Sequence, residues 1–92
     1  MDERLEAVVY GRVQGVNFRY FTEREAHRLQ LTGWVANQSD GSVRVVAEGP
    51  EPQLNQLAQF LRYGSPAAHV DRVESERSPA TGEFAGFRVR WL

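Results

Sequence analysis

The sequence predicts an α+β sandwich, a mainly antiparallel sheet with two helices on one face. Three observations predict it. Two segments space their apolar residues as helices do, several others read as short strands, and an Asp40-Gly41 dipeptide separates two of those strands as a hairpin turn would.

Leu5 to Val13 is rich in Val, Leu and Tyr and reads as the first strand. Gly11 and Gly15 then punctuate a turn. From Phe18 to Leu29 the pattern becomes helical, with Phe18, Phe21, Ala26 and Leu29 on one face and Glu23, Arg24, Glu25 and Arg28 on the other. Gly33 follows as a stop signal. Trp34 to Asn37 starts a second strand and Val43 to Glu48 forms a third, a hairpin that Gly49-Pro50 ends. Leu54, Leu57, Ala58 and Leu61 fall at i, i+3, i+4 and i+7, an amphipathic helix. Pro52 suits its first turn, and Gly64 with Pro66 closes it. Val70 to Arg77 is a highly charged strand, which places it at a sheet edge, where charge discourages edge-to-edge pairing. Ser78 to Gly82 is turn-like. Phe87, Val89 and Trp91 alternate with Arg88 and Arg90 in a last strand whose arginines point outward.

The order is β-α-β-β-α-β with an extra C-terminal strand, the split βαβ or ferredoxin-like arrangement. Right-handed crossovers then set the first and third strands side by side in the centre. This architecture hosts many functions, so function has to come from a site.

The bulk properties narrow the field. Ninety-two residues make one domain, residues 1–92, since single domains cluster near about 100 to 150 residues. With 41% hydrophobic residues the chain can offset its ordering entropy. A net charge of −1 and a pI near 6.1 disfavour a dedicated nucleic-acid binder, which draws its affinity from a basic excess. The absence of cysteine removes disulfides, thiolate nucleophiles and cysteine-ligated metal, and agrees with a reducing compartment. The N-terminus is acidic and polar without a signal-like apolar stretch, and no run approaches the roughly 20 apolar residues of a membrane span. A soluble, cytoplasmic monomer with no membrane partner is expected.

Two motifs carry chemistry. The first is Gly11-Arg12-Val13-Gln14-Gly15-Val16-Asn17-Phe18-Arg19, between a strand and a helix N-terminus. Successive N–H groups in such a loop can form a concave nest for an anion, and the helix end adds unpaired N–H groups and partial positive charge. Gly15 permits positive φ, and Asn17 tolerates it better than most residues. Arg19 adds a full charge and a planar fork that fits phosphate oxygens. A cation at a helix N-terminus is mildly unfavourable unless an anion sits there. The plainer alternative is a simple connection with Arg19 in solvent. The second motif is Gly33-Trp34-Val35-Ala36-Asn37-Gln38-Ser39-Asp40-Gly41-Ser42-Val43. Asn37 can hold a water in one orientation, since its amide both donates and accepts. Taken alone it reads better as a turn residue, with Asp40 and Gly41 as turn and Trp34 as packing.

Together the two motifs resemble the paired signature of the acylphosphatase family, and Gly49-Pro50 and the Gly64-Ser65-Pro66 turn are similar to that family as well. The likeness runs from Leu5 to Trp91. It implies an acylphosphatase that hydrolyses acyl phosphates to carboxylate and inorganic phosphate. It implies that the loop binds phosphate through Gln14, Gly15, Val16, Asn17, Phe18 and Arg19, that Arg19 is catalytic, and that Asn37 positions the attacking water. Many members have glycine at the position of Asn17, a difference that bears on rate and affinity and not on reaction class. Inorganic phosphate or sulfate is expected as a product-like ligand, with no metal and no cofactor.

The other residues fit this reading. His27 and His69 lack clustered partners and read as surface or packing residues. Glu23 and Glu25 suit solvent. An RNA-binding domain of the same strand order would need exposed aromatics on its central strands and a basic surface, but Tyr10 is isolated and Val43 to Glu48 has no aromatic. A regulatory domain that binds phosphate without turnover is a third possibility. The sequence ends at Leu92, from which a stand-alone module is expected.

Overall fold

The computed structural model describes residues 2–92. Strand β1 spans Asp2–Arg12, helix α1 Phe18–Arg28, β2 Thr32–Asn37, β3 Val43–Pro50, helix α2 Glu51–Leu61, β4 His69–Pro79 and β5 Phe87–Trp91. The sheet order is β4-β1-β3-β2-β5. β1 pairs antiparallel with both β3 and β4, β2 pairs antiparallel with β3, and β5 adds to β2 in parallel. This is the split βαβ core with its first and third strands adjacent, as the element order implied, and the extra C-terminal strand adds to the edge beside β2.

Alternation explains which face is covered. Leu5, Ala7 and Val9 of β1, Val35 of β2, Val43, Val45 and Ala47 of β3 and Phe87 of β5 join the core under both helices. The residues between them point to the open face. There Arg90 lies 4.7 Å from the Trp34 ring centroid and Arg72 lies 3.9 Å from that of Tyr10. From α2, Leu54, Leu57 and Leu61 complete the core, matching the expected face. β4 lies at the sheet edge with most of its residues exposed.

Two local features differ from the sequence reading. On α1 the fully buried face is Phe18, Thr22 and Ala26. Phe21 is half-buried, its ring 5.3 Å from that of Tyr20 in an edge-on contact. The i, i+4, i+8 line from Phe18 sets the inner face, and it runs through Thr22 and Ala26 and not through Phe21. The helix also ends before Gly33. Gln30 adopts φ 58°, with its N–H donating to the His27 carbonyl at 3.1 Å and the Leu31 N–H to that of Ala26 at 2.9 Å. These two bonds form a Schellman closure, a role glycine usually fills. Gly33 instead belongs to β2, paired with Ala47 on one side and Phe87 on the other.

Glu48 fixes the sheet end opposite the α1 N-terminus. It is 4% exposed. Its carboxylate accepts from Arg4 Nε at 2.9 Å, from the N–H and hydroxyl of Thr81 at 3.0 and 2.9 Å, and from the Gly82 N–H at 2.9 Å. Arg4 also pairs with Glu83 and lies 5.2 Å from the Phe84 ring centroid. One side chain of β3 thus ties down the β4–β5 connection and the start of β1. Burial alone would raise the Glu48 pKa, but the N–H groups of Thr81 and Gly82, the Thr81 hydroxyl and Arg4 together hold it below its ordinary value. A depressed folded-state pKa stabilises the fold fully above the ordinary glutamate value of about 4.3, and the contribution is lost as pH falls through the folded-state value. Glu48→Gln is therefore expected to cost roughly 2 kcal/mol or more at neutral pH. Denaturant midpoints taken down the pH scale should show that gap shrinking below about pH 4; a gap independent of pH would rule this role out.

Candidate active site

The α1 N-terminus has no side-chain cap. Asn17 is its cap residue, in the left-handed region at φ 63°, ψ 22°, and its side chain makes no capping hydrogen bond. The first turn contains no acidic residue. Among the described residues, no backbone carbonyl accepts from the N–H groups of residues 14 to 17. The first bond of the helix runs from the Phe21 N–H to the Asn17 carbonyl, at 3.1 Å, so the N–H groups of Phe18, Arg19 and Tyr20 precede the ladder. Gly15 has φ 74°, with open space where a Cβ would stand. Its glycine is therefore required by backbone conformation and not by crowding. Two residues with positive φ, Gly15 and Asn17, flank Val16 and curl the chain round it, and Val16 packs against the core.

Phe18 anchors the loop's far end. It is 1% exposed, and its ring lies where a Cβ on Gly64 would have to stand. Gly64 itself is left-handed, at φ 67°. The turn after α2 thus leaves room for Phe18, and Phe18 fixes the start of α1 from which Arg19 projects.

Arg19 is half-buried, and its Nη1 is buried without a hydrogen-bond partner. Its guanidinium carbon lies 4.5 Å from the ring centroid of Trp91. No carboxylate pairs with it among the described residues, whereas Arg4, Arg28, Arg44, Arg72 and Arg77 all have acidic partners. A buried guanidinium N–H left unpaired is costly unless a ligand completes it. Asn37 shows the same signature, since its Oδ1 is also buried and unpartnered. Asn37 is the register partner of Val43 on β3 and of Trp91 on β5. Trp91 therefore adjoins both residues, its ring against the Arg19 guanidinium and its backbone opposite Asn37.

Gln14 joins the two motifs. Its side-chain amide donates to the carbonyls of Gln38 at 2.8 Å and Ser42 at 2.9 Å, so the loop is stitched to the hairpin that carries Asn37. The hairpin is itself braced. Ser42 donates through its N–H and hydroxyl to Asp40, holding that carboxyl below its ordinary pKa. The Gln38 amide donates to the Ser42 hydroxyl at 2.9 Å. The sequence motif included Gln14 as part of the loop but gave no sign of this bridge, which depends on a contact 24 residues away in the chain.

A cleft of about 310 Å³ opens beside Arg19, walled by Gly15, Asn17, Tyr20, Glu23, Val89 and Trp91 among others. Asn37 and Gln14 are not part of that wall. Trp91 was legible in the sequence only as an alternating strand residue. His27 meets the Phe87 carbonyl at 2.8 Å and His69 lies 3.4 Å from Asp71, both away from the cleft wall. Among the described residues no group of three His, Asp or Glu side chains is placed to hold a metal ion, and no helix is long and apolar enough to cross a membrane.

Comparison with known proteins gives this arrangement its context. The acylphosphatase family model matches residues 5–89. The acylphosphatase of Salinibacter ruber is 51% identical over 89 residues, which span 97% of this chain and 94% of that protein. The crystal structure of acylphosphatase from Bacillus subtilis superposes with a TM-score of 0.92 at 38% identity, covering 96% of this chain and 98% of that one. The structure of an acylphosphatase from Coxiella burnetii gives 0.90 at 39% identity, covering 97% and 93%. With near-complete coverage in sequence and fold, and both motifs within the matched span, the chain belongs to the acylphosphatase family.

Proposed function

We propose that this chain, as a single domain, hydrolyses acyl phosphates to a carboxylate and inorganic phosphate, and that it does so as a monomer in the cytoplasm without metal or cofactor. The observation that carries the reading is that two buried polar atoms without a hydrogen-bond partner, Arg19 Nη1 and Asn37 Oδ1, belong to residues that both adjoin Trp91, at the end of the sheet where α1 begins.

The chemistry needs little more. A carboxylate is a good leaving group, so protonating it is largely dispensable. Phosphoryl transfer then rests on positioning and on stabilising charge over the equatorial oxygens. The N–H groups of Gln14, Gly15, Val16, Asn17 and Phe18 supply preorganised dipoles, and Arg19 supplies a full charge in a partly desolvated site. The ring of Trp91 keeps the guanidinium at the cleft, where its free N–H edge can meet phosphate oxygens. Asn37 orients water for in-line attack, and the hairpin position of Asn37 relative to the loop is held by Gln14. The attacking water gives its proton to a phosphoryl oxygen of the substrate itself, because asparagine is no useful base. Inorganic phosphate then occupies the cradle as product, and sulfate is expected to bind there as its analogue.

The wild type and four variants test this. The purified protein is expected to turn over benzoyl phosphate in the presence of EDTA, and Arg19→Ala to lower kcat/KM by roughly 10³-fold or more with an unchanged circular dichroism spectrum. No turnover by the wild type would sink the proposal. Asn37→Ala should lower kcat roughly 100-fold while competitive inhibition by phosphate stays within a few-fold. Gln14→Ala should follow the same pattern more weakly, at about tenfold in kcat, with a stability loss of about 1–2 kcal/mol. If either variant instead lost phosphate affinity in proportion to kcat, its role would lie in binding. Glu23 is the carboxylate on the cleft wall, and Glu23→Gln is expected to keep turnover within about tenfold. A collapse of the Arg19→Ala kind would assign the base to the protein.

A further inference from the structure

Trp91 does more than phosphoryl transfer requires. Its side chain is 81% exposed, although an indole is among the side chains that gain most from burial. It is nonetheless held firmly. It sits in β5 opposite Asn37, and the Arg19 guanidinium rests against its ring. That contact leaves most of the indole surface free. The free surface faces a cleft whose volume, about 310 Å³, is at the lower end of the roughly 300–1,000 Å³ range of small-molecule sites. A phosphoryl group held by loop amides and Arg19 would leave much of that space empty.

The geometry of the substrate says what belongs there. An acyl group is joined to the phosphoryl group through one oxygen, so its carbonyl and substituent must begin within two bonds of the cradle. They fall beside the Arg19–Trp91 pair, in the cleft that Trp91, Val89 and Tyr20 wall together with Asn17 and Glu23, and Tyr20 is itself 56% exposed. Two exposed aromatic side chains flanking one cleft are ill suited to water and well suited to a flat apolar group, which can stack or meet them edge-on. An acetyl group offers a single methyl to the same wall.

We propose that Trp91, with Tyr20 and Val89, forms a platform for the acyl group, and that the preferred substrates are acyl phosphates with an aromatic acyl portion. This rests on the hydrolase reading above. Trp91 also has a hold on Arg19, and the two roles separate by substrate. Its effect through Arg19 changes every acyl phosphate by one common factor, whereas the platform changes only the ratio between a flat aromatic acyl group and a small one.

The test is kcat/KM for benzoyl phosphate and for acetyl phosphate in the wild type, Trp91→Ala and Trp91→Phe. The wild type should favour benzoyl phosphate. In Trp91→Ala the ratio should fall roughly tenfold, chiefly through a higher KM for benzoyl phosphate, and Trp91→Phe should restore it to within a few-fold. An unchanged ratio, with both substrates losing the same factor, overturns the platform and leaves Trp91 as a positioning residue for Arg19. Calorimetric binding of benzoylphosphonate and acetylphosphonate, which cannot be hydrolysed in this way, repeats the comparison without turnover. If the wild type hydrolyses neither phosphate, the hydrolase reading fails. The platform is then still supported by tighter binding of benzoylphosphonate, and equal affinity for the two phosphonates overturns it whatever the variants do.

Discussion

The antiparallel pairing of β1 with β3 is the constraint on which the rest depends. Its register runs from Asp2 opposite Pro50 to Val9 opposite Val43. β1 therefore leaves the sheet, and β3 enters it, at the same end. The loop before α1 grows from the first of these points. Asn37 pairs with Val43 on the other side of β3, and Trp91 pairs with Asn37 in turn. Register alone thus gathers the loop before α1, Asn37 and Trp91 into one corner. A slip of one residue would turn Val43 and Val45 away from the core and send Asn37 to the opposite face, so the apolar core enforces the geometry of the site.

The two ends of the sheet treat buried polar groups in opposite ways. At one end Glu48 is surrounded by donors and every demand of its carboxylate is met. At the other, Arg19 Nη1 and Asn37 Oδ1 are buried and unmet. Folding energy favours the first arrangement and disfavours the second. On the reading proposed above, a ligand would complete the second set, and the satisfied end offsets part of its cost.

Much of this was legible in the sequence, for identifiable reasons. Period and turn chemistry are local, so both helices, the hairpin, the charged edge strand and the arginine-bearing last strand could be read from spacing alone. Local signals failed where a tertiary contact chose between acceptable options. Gln30 closes α1 because two backbone bonds hold it left-handed, although Gly33 was the better closing residue by propensity. Thr22 lies inside and Phe21 partly outside because the inner line of α1 runs at i, i+4 and i+8 from Phe18. The Gln14 bridge, the Glu48 cluster and the approach of Trp91 to Arg19 join residues far apart in the chain, and no pattern of residue types announces them. The anion loop and Asn37 became a site in the sequence only through the resemblance of both motifs together to one family.

The same register that gathers the site also sets how the chain must fold. Among the described residues, β2 and β3 are the only strands adjacent in sequence that pair with each other. β1, in the centre, waits for partners made much later, with Leu5 opposite Ala47 and Glu3 opposite Pro79. Each such pairing closes a long loop before any burial rewards it, which places folding in the slower, millisecond-to-second regime of nonlocal topologies. Until β1 docks, the apolar run of Val43, Val45 and Ala47 has an open flank. The interval before that docking is when the molecule is most exposed to pairing with another copy of itself.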